Sequence, residues 1–117
     1  MIDILPHVAE LLTPIGAQIE LSFRDTYVSF PLIVLSVPSN TAMTCGGSEY
    51  FTRITVQVDA YTLDKLSTVQ LVQSIDEILT PAGFTRRTAR PFTEGAMERY
   101  MMQYSCGVDY SHHRIIL

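Results

Sequence analysis

Two stretches of alternating apolar and polar residues flank one amphipathic stretch in the second half of the chain. From Thr52 to Thr62 every second residue is apolar or β-branched, which predicts a half-buried β-strand. Residues 97–109 alternate in the same way. Between the two, apolar positions recur at helical spacing over residues 63–80, and Pro81 with Gly83 ends that pattern. The pattern predicts a strand, a helix and a second long strand.

The alternation also assigns a core face to each of these elements. In the strands the core positions are Thr52, Ile54, Val56, Val58 and Ala60, then Tyr100, Met102, Tyr104, Cys106 and Val108. In the helix they are Leu63, Leu66, Val69, Val72, Ile75, Ile78 and Leu79. Thr62 is the predicted N-cap of this helix, and Asp64 suits its first turn.

The first half of the chain predicts three more elements, and a short fourth one follows the long helix. They are a helix over residues 2–12, strands over 18–23 and 30–37, and a strand over 84–88 that leads into a connection at 90–95. The strand at 30–37 is apolar on both of its faces, which is typical of a strand covered on both sides or lying at an interface.

Two segments are predicted to lie outside the regular elements. Residues 38–48 are rich in Ser, Thr, Asn and Gly, so we expect a mobile surface loop there. Residues 110–117 form a C-terminal tail with an apolar end. This tail either docks on its own domain or adds to a neighbouring subunit, and the sequence leaves both possibilities open.

Together these elements predict one domain over residues 1–117. The expected class is α+β, a small antiparallel or mixed β-sheet with two helices packed on one face. The chain is 47% hydrophobic and only 17% charged, against about 25% charged residues in an average soluble domain. An extensive protein–protein interface is the simplest use for the excess of apolar residues.

Charge and hydropathy exclude several classes of partner. The formal net charge of −4 lacks the basic footprint of a nucleic-acid-binding domain, so we expect no specific nucleic-acid binding. The chain also lacks an apolar run of about 18 residues and a signal peptide, so we expect no membrane partner and synthesis in the host cytoplasm. The basic residues Arg86, Arg87 and Arg90 indicate either a solvated turn or an anionic contact in an assembly.

The sequence contains no recognisable catalytic or metal-binding arrangement. His7, His112 and His113 accompany no nucleophile motif, and Gly46-Gly47 matches no phosphate-binding loop. A metal site at His112 and His113 with Asp109 would need an irregular backbone, because adjacent strand residues point to opposite faces. We therefore predict a protein that is not an enzyme and has no catalytic residue, cofactor or metal.

The remaining charged residues have structural interpretations. Asp59 and Asp64 suit turn stabilisation and helix capping. Cross-strand charge pairs are expected among Arg53, Glu94, Glu98 and Arg99.

Roughly half of the chain, residues 50–110, resembles a known family. Its strand ends in Val56-Gln57-Val58-Asp59, a helix follows, and the chain then turns through Leu79-Thr80-Pro81-Ala82-Gly83-Phe84. A closing strand with an aromatic–polar alternation follows at Arg99–Tyr104. This succession resembles the tail-completion or tail-terminator proteins of long-tailed bacteriophages, which join head to tail.

The resemblance implies a structural protein of a phage or prophage particle, located in the tail or neck of the virion. Such proteins form a ring, commonly a hexamer, that stops polymerisation of the tail tube and faces the head connector. The implied partners are further copies of the chain, the tail tube protein and the head–tail connector protein. The candidate subunit or partner contacts in this sequence are Phe30, Leu32, Met43, Cys45, Met101, Ile115, Ile116 and Leu117.

Two alternatives remain open. One is another structural role on the same particle, as a minor capsid, neck or other tail protein. The other comes from a different class: a small-ligand-binding α+β domain, which would need an apolar pocket with a few polar groups.

Overall fold

A mixed six-stranded β-sheet carries two helices on one of its faces, which confirms the predicted α+β class. The structure is a computed structural model that describes residues 4–21, 31–45, 48–95, 97–109 and 114–116. The helices are α1, Ile4–Leu12, and α2, Lys65–Leu79. The strands are β1, Gln18–Glu20; β2, Leu32–Cys45; β3, Ser48–Thr62; β4, Thr85–Glu94; β5, Met97–Asp109; and β6, Arg114–Ile116.

The strand order is β1-β2-β3-β5-β4, so the two long alternating strands β3 and β5 lie side by side at the centre. β1 pairs parallel to β2, and the other pairings are antiparallel. β6 pairs with the end of β5, beyond the part of β5 that pairs with β4. Val56 lies opposite Tyr104 in the central pair, and this register places the apolar positions of both strands on one face.

The core lies between this face of the sheet and the two helices. The predicted strand positions that the structure buries there are Ile54, Val56, Val58, Ala60, Met102, Tyr104 and Cys106. α1 contributes Ile4, Val8 and Leu12, which recur every four residues and therefore lie on one side of the helix. Burying these side chains removes apolar surface from water, which is the main driving force for this fold.

The N-cap of α2 lies two residues later than predicted. Oδ1 of Asp64 accepts a hydrogen bond from the backbone N–H of Ser67 at 2.8 Å, so Asp64 is the N-cap. Thr62 instead remains in β3, where it pairs with Glu98, and its hydroxyl donates to the carbonyl of Asp64 at 2.8 Å. Strand pairing therefore holds Thr62 outside the helix. The predicted stop is confirmed by Gly83, which has a φ of 101°.

The predicted core face of α2 is wrong for its first half. Leu63, which precedes the helix, is 60% exposed, and Leu66 and Val69 are 68% and 52% exposed. An α-helix turns about 100° per residue, so each three-residue step falls about 60° short of a full turn. Three such steps from Ile75, which is buried, lead to Leu66 on the opposite side. The buried positions are Thr68, Leu71, Val72, Ile75 and Leu79.

The predicted loop over residues 38–48 is also corrected by the structure. β2 continues to Cys45 and β3 begins at Ser48, so most of this segment forms a long β-hairpin. The turn-favouring residues adopt strand conformation because β3 supplies pairing partners as far as Cys45 opposite Ser48. Pro38 lies at an irregularity of the ladder between Ser36 and Ser39, a position where a proline is tolerated.

β4 is longer than predicted. It takes in the predicted connection, including Pro91, which lies opposite Tyr100. A proline cannot donate a ladder hydrogen bond, but β4 ends the strand order and its outer side needs no donor. The structure also places part of the C-terminal tail, residues 114–116, on β5 of its own chain. Of the helices that the structure describes, none is long and apolar enough to cross a membrane.

Candidate interaction surfaces

The sheet has a second face that neither α1 nor α2 covers, and we call it the helix-free face. It carries the strand positions that alternate with the core positions. On β3 and β5 these positions are Arg53, Thr55, Gln57, Asp59 and Tyr61, then Arg99, Met101, Gln103 and Ser105. Most of them are polar, as expected for the outer side of a half-covered sheet.

An ion pair organises the middle of the helix-free face. Nε and Nη2 of Arg99 lie 3.0 Å and 2.9 Å from Oδ1 of Asp59. The side chains of Arg99 and Asp59 are only 23% and 7% exposed. The sequence predicted a cross-strand pair for Arg99 but expected its partner among the glutamates. The pairing with Asp59 depends on strand register, which the sequence pattern alone does not define.

Amide side chains extend this ion pair across the sheet. Nε2 of Gln57 donates to Oδ2 of Asp59 at 2.9 Å, and Nε2 of Gln103 donates to Oε1 of Gln57 at 3.1 Å. Both oxygens of the Asp59 carboxylate are thereby satisfied, which a buried charge requires. The guanidinium of Arg99 also lies over the ring of Phe92, 5.3 Å from its centroid, in cation–π geometry.

A small apolar cluster lies beside the ion pair on the same face. Leu32, Val34 and Tyr61 are buried together, and Met97 packs against them. The guanidinium of Arg99 lies 6.0 Å from the centroid of the Tyr61 ring. The hydrogen bonds on this surface hold its polar groups in fixed positions.

The structure describes the side chains of only two of the eight predicted contact residues. Leu32 is completely buried, so a partner could reach it only by displacing the side chains that cover it. Met101 is half-buried on the helix-free face, opposite Asp59 of β3. The prediction for both residues stays a prediction.

The other six predicted contacts are described by backbone alone or lie outside the described residues. The backbones of Met43 and Cys45 belong to the far end of β2, and those of Ile115 and Ile116 belong to β6. Phe30 and Leu117 lie outside the described residues, as do the side chains of Asp109, His112 and His113. Among the residues that the structure does describe, no group of three or more His, Cys, Asp or Glu could hold a metal ion.

Sequence reasoning missed a groove between α2 and the β4–β5 hairpin. The groove has a volume of about 380 Å³. Val69, Pro91, Phe92 and Tyr100 supply apolar surface, and Lys65 and Thr68 lie at its helical side. We call it the α2–β4 groove. The signal in the sequence was the width of the apolar stripe on α2, which is broader than one buried face needs.

Arg86, Arg87 and Arg90, predicted to lie in a solvated turn or to make an anionic contact, belong to strand β4 and not to a turn. Arg86 and Arg90 face different sides of this strand. Nη1 of Arg86 lies 3.8 Å from Oδ1 of Asp76 on α2, and both side chains are well exposed. The Tyr104 hydroxyl donates to the same oxygen of Asp76 at 2.9 Å. Arg90 lies over the ring of Phe92, 5.9 Å from its centroid. These contacts connect α2, β4 and β5. The exposed ion pair between Arg86 and Asp76 itself contributes little to stability.

No protein-family model matches the chain, and no curated protein matches it either.

Proposed function

We propose that this chain is a structural protein of a phage or prophage particle that forms a ring at the head-proximal end of the tail tube. The ring stops tube polymerisation and joins the tail to the head, and its work is contact with other proteins rather than catalysis. It acts in the tail or neck of the virion. The resemblance of residues 50–110 to tail-completion proteins motivates the proposal, and the arrangement of β2 and β3 supports it.

The observation that carries the proposal is the long, largely unpaired outer side of β2. β1 pairs with β2 only opposite Leu32–Val34. Among the described residues, the rest of β2, residues 35–45, has a strand on one side only. An unpaired strand edge is a ready template for a strand from another chain. In a closed ring each subunit meets the next through two different surfaces, and this edge offers one of them.

The edge of β2 also carries a feature that limits which strands can pair with it. Val37 and Pro38 are exposed at the irregularity opposite Val56, and Val37 is 38% exposed. A proline and a ladder irregularity discourage indiscriminate pairing of an edge strand. The edge therefore favours one defined neighbour over open-ended aggregation.

The experiment measures the solution mass with matched variants. Light scattering on the chain, alone and with the tail tube protein, is expected to find a ring, commonly of six 13.1-kDa chains. Val37→Lys places a charge at the β2 edge and is expected to reduce the ring fraction. Val69→Lys is the control, because it adds the same charge at an exposed valine on α2. The proposal is contradicted if the chain stays monomeric both alone and with the tail tube protein. It is also contradicted if the Val37→Lys variant still forms the ring.

The alternative structural roles predict a different partner. A neck or minor capsid protein would bind the head connector or the capsid and leave the end of the tail tube unoccupied. Electron microscopy of purified tubes incubated with the chain separates the cases, since a terminator decorates one end of each tube.

A second candidate function, small-ligand binding, is favoured by the α2–β4 groove. Ligand pockets are typically about 300–1,000 Å³ and mostly apolar with a few polar groups, and the groove, at about 380 Å³, lies within that range. A thermal-shift screen with small metabolites tests it. A hit that Val69→Lys abolishes and Val37→Lys preserves would support this function, and a screen without hits counts against it.

A further inference from the structure

A small polar cleft lies where the first residues of β4 meet the far halves of β3 and β5. Its volume is about 40 Å³. Arg53, Thr85, Arg87 and Ser105 line it, together with the backbone at Gly107. We call it the arginine cleft. It lies apart from the α2–β4 groove and shares no lining residue with it.

A β-bulge places Arg87 in the cleft. The register between β4 and β5 shifts between Arg86 and Thr88, so Arg87 is the extra residue of β4. Bulges of this kind redirect a side chain at a sheet edge. Nε of Arg87 donates to the Ser105 hydroxyl at 2.8 Å, which holds the guanidinium while leaving its other N–H donors available.

The Ser105 hydroxyl is a buried donor that has no acceptor among the described residues. Ser105 is 5% exposed and accepts the hydrogen bond from Arg87. Its own proton is donated to none of the residues that the structure describes. A buried polar hydrogen without an acceptor is costly, and a ligand oxygen in the cleft would satisfy it.

Arg53 brings a second guanidinium to the same cleft. It lies on β3 opposite Gly107, where the neighbouring strand presents no side chain. Arg53 is exposed, and among the described residues it has no carboxylate partner. Arg99 and Arg86, by contrast, each face an aspartate. No acidic side chain appears among the described residues that line the cleft.

From this arrangement we propose that the arginine cleft binds one phosphate dianion, either free or as the terminal group of a phosphate monoester. The two guanidinium charges match the two charges of the ligand. Their fork-shaped donors and the two hydroxyls suit tetrahedral phosphate oxygens. The cleft holds about three water-sized volumes, which suits a single phosphate group and excludes a larger ligand from its interior. This inference is independent of the proposed ring function.

Isothermal titration of the full chain with inorganic phosphate, at constant ionic strength and a pH near 8, tests the proposal. We expect saturable binding that becomes about tenfold weaker in Arg53→Gln and in Arg87→Gln, because each loses charged hydrogen bonds. Arg87→Lys should bind with intermediate affinity, since it retains the charge without the fork. Both arginines are exposed, so these variants should fold, which circular dichroism verifies.

Arg90→Gln is the matched control, because it removes the same charge from the same strand at a site outside the cleft. Phenyl phosphate identifies the source of the ligand: binding as tight as that of inorganic phosphate indicates a monoester, and weaker binding indicates the free ion. Three results overturn the proposal. They are no saturable binding, an equal loss of affinity in Arg90→Gln, or equally tight binding of acetate.

Discussion

Nε of Arg99 on β5 donates a hydrogen bond to Oδ1 of Asp59 on β3, and Nη2 lies 2.9 Å from the same oxygen, although the two residues are 40 positions apart in the chain. The pair spans the central strands of the sheet diagonally, since Asp59 lies directly opposite Met101. It is nearly enclosed on a face that neither helix covers. Because the pair is enclosed, substitutions of these two residues report how the helix-free face is stabilised.

Arg99→Met is expected to lower the free energy of unfolding by roughly 3 kcal/mol, because it leaves the enclosed Asp59 carboxylate without its cation. The double variant Arg99→Met with Asp59→Leu should lose clearly less, since neither charge then remains unpaired. Urea unfolding measures both. Arg90→Met, at an exposed arginine of β4, serves as control and should cost less than about 0.5 kcal/mol. Equal losses in the single and double variants would contradict the role of the ion pair.

Substitutions on opposite sides of α2 test the orientation of this helix. Ile75→Ala should cost about 2–5 kcal/mol, because Ile75 is completely buried and the truncation leaves a cavity. Leu66→Ala should change stability by less than about 0.5 kcal/mol, since Leu66 is 68% exposed. Chemical denaturation of both variants gives the comparison. A large loss for Leu66→Ala would mean that the first half of α2 faces the core after all.

Asp64 should make the stability of α2 depend on acid pH. The backbone N–H and the hydroxyl of Ser67 both donate to its carboxylate and hold the pKa below the ordinary value of 3.8. A carboxyl group with a lowered folded-state pKa stabilises the fold above its unfolded pKa. That contribution is lost as the pH falls through the folded-state pKa, below 3.8.

Melting curves of Asp64→Asn between neutral and acid pH isolate this effect. The amide still caps the helix through its oxygen but does not titrate, so the variant should lose less stability than the wild type on acidification. Asp64→Ala should be less stable than Asp64→Asn at neutral pH. If the wild type and Asp64→Asn respond identically to acid, the capping carboxylate does not contribute to the pH dependence.

Tyr104 should make the protein sensitive to alkali. Burial, and then the hydrogen bond to Asp76, raises the pKa of its phenol well above the ordinary value of 10. The unfolded chain therefore releases this proton at a lower pH than the folded chain. The contribution of Tyr104 to stability is present below pH 10 and decreases as the pH rises above it.

Tyr104→Phe removes the titrating group and should cost about 1 kcal/mol at neutral pH through the lost hydrogen bond. Above pH 10 the difference between wild type and variant should narrow, which denaturation at several pH values would measure. A constant difference across this range would show that the phenol of Tyr104 titrates normally.

Prediction from sequence succeeded where the signal was local. The strand Met97–Asp109 was predicted at its observed bounds, because strict alternation and flanking turn residues define a strand within a short window. The core positions of β3 followed from the same alternation. The end of α2 just before Gly83 followed from a residue that readily adopts a positive φ.

Prediction failed where a distant segment decided the outcome. Residues 38–48 carry turn-favouring side chains, but pairing with β3 holds most of them in an extended strand. The burial of Leu32 beside Tyr61, which is 29 positions later in the chain, was not indicated by a strand that is apolar on both faces; its predicted role as a contact residue stays a prediction. Arg53 and Arg87 line one cleft because strand pairing and the bulge in β4 bring them to the same place, which no local pattern indicates.

The sequence by itself determined the identity and order of the main elements, because strand alternation, helical periodicity and end signals act within about one turn or one strand. Tertiary structure alone decided which side of α2 is buried, how far the β2–β3 hairpin extends, and which charges meet on the helix-free face. These features depend on strand register and on the surface that each element packs against, and both arise from residues that are far apart in the chain.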